Sequence, residues 1–117
     1  MALASAGDIV LFRFPQTDQT VGKLRPALLV TALPTKYDDW LVCMVSSQIH
    51  QAIPNVDIFI DVADSDFAGS GLKTKSIFRT TRLAIAAESI FIGKLGSISQ
   101  SRVEDVRIRI ADWITGK

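Results

Sequence analysis

The stretch Gly22-Lys23-Leu24-Arg25-Pro26 sets one guanidinium between two apolar runs, residues 8–12 and 27–30. A guanidinium keeps its charge through the working pH range and offers a fork of donors that fits phosphate or carboxylate oxygens. With a glycine before it and a proline after it, Arg25 is expected on a short braced loop, aimed at an anion. The plainer alternative is a surface salt bridge to Asp8 or Asp18. A second polar group stands where another apolar run ends. Leu41-Val42-Cys43-Met44-Val45 gives way to Ser46-Ser47-Gln48, whose hydroxyls and amide can hydrogen-bond a phosphate or equally close a turn.

A general base would complete such a site, and His50 is the one histidine in the chain. An imidazole titrates close to neutral pH and can take a proton from a hydroxyl. Gln48-Ile49-His50-Gln51 nevertheless reads as a solvated loop, which gives His50 no fixed aim. The densest positive charge lies at Lys73, Lys75, Arg79 and Arg82. In extended backbone Lys73, Lys75 and Arg79 share a face while Arg82 takes the other, which makes a stripe able to track a polyanion or simply a solvated surface. Phe14, Tyr37 and Trp40 are candidates for stacking on bases, and are otherwise core or edge residues.

A small β framework must position these groups. Short apolar runs separated by turn residues predict strands at 9–14, 27–31, 40–46 and 56–62, a strand or pair of strands at 76–87, and a short strand or helical turn at 89–95. Residues 16–23 read as a loop and 64–71 as a turn region. The C-terminus changes period: Val103, Val106, Ile110, Trp113 and Ile114 recur at helical spacing, Ser101-x-x-Glu104 has capping-box spacing, and Gly116 is placed to end the helix. That stripe is expected to pack on the sheet or on a partner. At 117 residues, 48% of them hydrophobic and with a formal net charge of +1, the chain is expected to form one domain over 1–117. Any polyanion must meet a local patch, because the overall field is nearly neutral. The single Cys43 excludes an internal disulfide, supplies too few thiolates for a zinc site, and is expected to be a buried inert thiol. No run approaches the ~20 apolar residues of a membrane span, so a cytoplasmic protein is expected.

The ordered blocks Gly7-Asp8-Ile9-Val10, Gly22 through Val30, Val45-Ser46-Ser47-Gln48, Gly71-Leu72-Lys73-x-Lys75-Ser76-Ile77-x-Arg79 and Ile92-Gly93-Lys94-Leu95-Gly96 resemble those of the MazF/PemK toxin family. The resemblance runs from Gly7 to the C-terminal helix. It implies a mainly β fold, a compact SH3-like β-barrel with a C-terminal α-helix and short additional helices. It also implies a homodimer that works without a cofactor as a metal-independent, sequence-specific endoribonuclease on single-stranded RNA, held in check by a cognate antitoxin. The family's catalytic Arg and Thr fall on Arg25 and Ser46, and serine keeps the hydroxyl but loses the methyl that restricts its rotamer. Lys23, Ser47, Gln48, Lys73, Lys75 and Arg79 are the expected RNA contacts, the segment 14–23 a flap over the site, and an acidic, apolar antitoxin tail the expected competitor for the groove. Two other readings stay open: a CcdB-like gyrase poison acting through the end of the C-terminal helix, where Trp113 stands, and a non-catalytic barrel that binds RNA or antitoxin.

Overall fold

The computed structural model describes residues 4–13 and 23–117. Phe14, Asp18, Gly22 and the flap expected between Phe14 and Lys23 lie outside the described residues, Lys23 itself excepted. Strands β1 (Asp8–Arg13), β2 (Leu24–Ala32), β3 (Asp39–Ser46), β4 (Ile58–Ile60), β5 (Ser76–Ala87) and β6 (Gly93–Ser97) form one sheet, and α1 (Phe67–Ser70) and α2 (Gln100–Thr115) complete the fold. All pairings are antiparallel, in the order β4-β5-β3-β2-β1-β6. The end strands β4 and β6 are bridged by α1, which follows β4 in the chain and packs its last turn on β6. The expected small barrel is therefore a curled half-barrel whose seam is a helix.

The strand expected at 27–31 is longer than its apolar run, and this moves Arg25. Leu24, Arg25 and Pro26 pair with Arg13, Phe12 and Leu11, so Arg25 sits inside β2 and not on a braced loop. Proline is tolerated there for a local reason. The Leu29 carbonyl accepts from Gly7 beyond β1's start, so by strand alternation the backbone polar groups of Ala27 and Arg25 also face β1, and those of Pro26 face β3. Pairing with β3 begins only at Ala27 opposite Met44, leaving Pro26 where no ladder donor is required.

Alternation through β1, β2 and β3 sorts the core into two layers. Ile9, Leu28, Val30, Cys43 and Val45 lie on the face that receives Val103, Val106 and Ile110 of α2. Val10, Ala27, Leu29, Val42 and Trp40 lie on the other face, where the Phe91 ring stands edge-on to Phe12 with centroids 6.3 Å apart. The helix stripe is thus core as expected at three positions, while Trp113 is 40% exposed and Ile114 62%; the Trp113 indole donates to the Thr80 carbonyl at 3.2 Å. Gly116 ends α2 in the left-handed conformation. Cys43 is fully buried, donates to the Arg79 carbonyl at 3.3 Å, and burial, with a smaller contribution from Asp57, pushes its thiol pKa far up. It is the inert thiol expected.

The capping box expected at Ser101 and Glu104 is not the one used. The N-cap is Ser99, whose hydroxyl accepts from Arg102 N at 3.2 Å. The return bond that a capping-box carboxylate would make to the N-cap amide comes instead from Asp66, which accepts from Ser99 N at 3.0 Å. Asp66 also receives two bonds from the Arg102 guanidinium, at 2.9 and 2.8 Å, while Arg102 reaches Asp64 at 3.0 Å and the Phe59 carbonyl at 2.7 Å. One guanidinium thus ties the start of α2 to β4 and to the residue before α1. Its bonds, ahead of those from Ser99, hold the Asp66 carboxyl well below the usual aspartate range. A carboxylate with a lowered folded pKa stabilises the fold above its unfolded pKa of ~4, and that contribution drains away as the pH falls toward the folded value. Asp66→Asn is therefore expected to cost about 1.5–3 kcal/mol at neutral pH. In urea melts the gap to the parent should narrow steadily below pH ~4; a gap independent of pH would show that the carboxylate charge contributes nothing.

Candidate active-site cleft

The N-terminal part of β2, the C-terminal end of β3 and the approach to β5 meet at one end of the sheet, and there they enclose a cleft of about 340 Å³. Arg25 and Pro26 form one wall, Val45 through Gln48 the floor, and the segment Gly71 to Thr74, with Ser76 and Leu95, the opposite wall. Arg25 and Ser46, distant in sequence, are thus brought to a common cavity. Among the described residues the lining holds two cations, Arg25 and Lys73, several hydroxyls and the Gln48 amide, and no aspartate, glutamate or histidine. Such a lining donates hydrogen bonds and attracts negative charge.

Arg25 is half-buried and, among the described residues, makes no ion pair or hydrogen bond through its guanidinium. The salt bridge weighed for it does not form with Asp8, which pairs with Lys94 at 3.2 Å and accepts from Ser5 N. Ser46 is 7% exposed, and its hydroxyl accepts from Gln48 N at 3.1 Å. That bond closes the turn, as one of its two readings had it. It uses an acceptor lone pair, and among the described residues the hydroxyl proton has no acceptor, so Ser46 can still donate into the cleft.

The basic stripe is broken up. Lys73 precedes β5 in a bend, so strand alternation does not reach it, and this exposed residue is one of those that line the cleft. Lys75 turns away to Asp61 at 3.6 Å and over the Phe59 ring at 5.0 Å. Arg79 donates to Gln51 Oε1 at 3.1 Å, and its Nε is buried without a partner. Lys23, exposed just ahead of β2, is not in the lining either. Of the expected contacts, Ser47, Gln48 and Lys73 join Arg25 and Ser46, while Lys23, Lys75 and Arg79 stand outside the cavity. Thr74 and Ser76 were missed as lining residues; the only signal was their position inside a block already noted. His50 lies exposed on a 3₁₀ turn (Ile49–Gln51) and does not line the cleft. Trp40 is core, at 8% exposed, and Tyr37 is a surface ring beneath the Lys36 ammonium.

A curled antiparallel half-barrel backed by one long helix, with a cationic, hydroxyl-lined cleft at the strand ends, defines a small β protein built to receive an anion. The chain belongs to the PemK-like, MazF-like toxins of type II toxin-antitoxin systems, whose family profile matches residues 5–114. No curated protein matches the sequence significantly. Among solved structures, an endoribonuclease in complex with its cognate antitoxin from a mycobacterial species superposes with a TM-score of 0.61 at 12% identity, covering 97% of this chain and 96% of that one. A second mycobacterial endoribonuclease gives 0.62 at 13% identity, over 98% and 94% of the two chains. The Mycobacterium tuberculosis toxin MazF-mt6 gives 0.59 at 14%, over 91% and 96%. At such identities these neighbours speak for the fold. No helix among the described residues is long and apolar enough to cross a membrane.

Proposed function

We propose that this toxin is an endoribonuclease that cuts single-stranded RNA in the Arg25–Ser46 cleft, with the whole of 1–117 acting as one toxin domain in the cytoplasm. The observation that carries the reading is the convergence of Arg25 and Ser46 on a cavity whose described charged residues are both cations. The family and the endoribonucleases that share the fold support it. In the reaction the ribose 2′-oxygen bonds to the neighbouring phosphorus as the bond to the 5′-oxygen breaks, leaving a 2′,3′-cyclic phosphate and a 5′-hydroxyl. Charge grows on the phosphoryl oxygens, where the Arg25 fork stabilises it. Ser46 donates to a phosphoryl oxygen and fixes the phosphate's position, and Ser47 and Gln48 contact the adjoining nucleotides. The nucleophile is the RNA's own 2′-hydroxyl, so the proposed reaction calls for no metal-activated water. An acidic antitoxin tail would occupy the same cleft and exclude RNA, and a second copy of the chain completes the active form.

The test is incubation of purified protein with a long unstructured RNA in EDTA, with both new ends mapped. Cyclic-phosphate and 5′-hydroxyl ends at recurring sequences are expected. Uncut RNA retained on the protein would make it a binder, and inhibition of gyrase alone a topoisomerase poison. In the same assay His50→Ala is expected to leave the rate within about twofold and the pH profile unmoved, because the imidazole stands outside the cavity. Loss of a limb from the profile would put His50 back in the reaction.

A further inference from the structure

Resting on the endoribonuclease reading, we infer that Lys73 is a further catalytic residue, a second cation that acts on the scissile phosphate together with Arg25 and does not merely follow the RNA backbone. Three independent features lead there. The first is selection among like charges. Lys75 is drawn off by Asp61 and Phe59 and Arg79 by Gln51, whereas Lys73 is among the residues lining the cavity that Arg25 and Ser46 share.

The second is the absence of anything to neutralise it. Lys73 has no ion pair among the described residues, and none of the described residues that line the cavity is a carboxylate. A monoanionic phosphodiester gains a second negative charge's worth of density as its pentacoordinate transition state forms, and two cations lining one cleft answer that change better than one.

The third is the way the backbone around Lys73 is pinned. Gly71 has φ of 75°, and a side chain there would fall within 2.7 Å of the Leu95 carbonyl carbon, so the turn lies directly against β6. The buried Ser70 hydroxyl accepts from Leu72 N at 3.1 Å, and the buried Ser76 hydroxyl donates to the Thr74 carbonyl at 2.9 Å. Fixed points thus bracket Lys73 on both sides. Long-range attraction of a polyanion needs no such placement, since it falls off slowly with distance, whereas stabilising one reacting phosphate does. In the step itself one P–O bond forms as another breaks; the 2′-hydroxyl proton leaves to solvent and the departing 5′-oxygen takes one from it, so Lys73 stays an ammonium throughout.

The experiment uses a short RNA with one mapped cut site, and the same RNA with a 2′-deoxy nucleotide at the cut, which binds but cannot react. Lys73→Gln is expected to lower the single-turnover rate at saturating protein by about tenfold to a hundredfold. Its affinity for the deoxy analogue should fall by no more than about threefold, and Lys73→Arg should recover most of the rate. If Lys73→Gln instead weakens the analogue and flattens the salt dependence while the saturated rate holds, Lys73 contacts a flanking phosphate and the inference is overturned. An unchanged rate and affinity would overturn it too. Failure of the parent protein to cut at all would sink the endoribonuclease reading itself, which separates the two.

Discussion

Arg25→Ala should lower RNA cleavage by about a hundredfold to a thousandfold, the usual loss when one pre-aimed donor to a growing oxyanion is removed. Growth inhibition should disappear with it. The fold should survive, for reasons visible in the sheet. Arg25 lies in the part of β2 that pairs with β1 alone, its backbone partner is Phe12, and its guanidinium holds no other described residue. Truncation therefore strands no buried acceptor and breaks no ion pair. Arg25→Lys keeps the charge and loses the fork, so it should recover only part of the rate. Single-turnover rates on the mapped RNA, beside thermal melts of each variant, check both halves. Cleavage at the parental rate by a folded Arg25→Ala protein would remove Arg25 from the reaction.

What the sequence could disclose of this cleft depended on whether a residue's fate was settled by its neighbours in the chain. Ser46 was legible because an apolar run ends there, and a strand that leaves a core must place its first polar groups at the strand end. Arg25 was legible as a chemistry but misplaced as a loop residue. Gly and Pro read locally as a turn, yet β1 offered a pairing partner and the shorter reach of β3 left Pro26 an undemanding site. The basic segment was legible only as charge. Which lysine enters the cleft was decided by Asp61, Phe59 and Gln51, residues from other segments that alternation cannot see.

The same limit explains the helix start. Ser97, Ser99 and Ser101 stand in alternate positions, and only the Ser101 choice has a glutamate at capping-box distance. The structure chooses Ser99 because Asp66 and Arg102, brought together by the fold, supply the second half of the cap from outside the helix. A local rule was outvoted by a tertiary ion pair. Buried Asp57 is another such case: its carboxylate accepts from Ile53 N and Thr80 N and so ties the loop before β4 to the point where β5 slips register against β3.

The seam between α1 and β6 supplies the largest expected effect on stability. Gly96 pairs with Ile9, and on its other side α1 comes so close that a Cβ would lie 2.6 Å from the Ser70 carbonyl carbon and 2.7 Å from its oxygen. The obstacles are backbone atoms, so no rotamer change relieves them. Either β6 leaves β1 or α1 leaves β6, and α1 is anchored just ahead of its first residue by Asp66 to Arg102. Gly96→Ala should therefore cost about 3 kcal/mol, or roughly 10 °C in Tm. Gly93→Ala is the control on the same strand: its Cβ would meet nothing within 4 Å, and it should melt like the parent. The seam also carries a wall of the cleft, since Gly71, Leu72, Lys73 and Leu95 line it. Below its melting transition, Gly96→Ala should then retain structure by circular dichroism yet cut RNA about tenfold more slowly or worse, as a wall displaced by a fraction of an ångström to an ångström disturbs the phosphate. If Gly96→Ala melts and cuts like Gly93→Ala, the close approach of α1 to β6 is not what sets this wall.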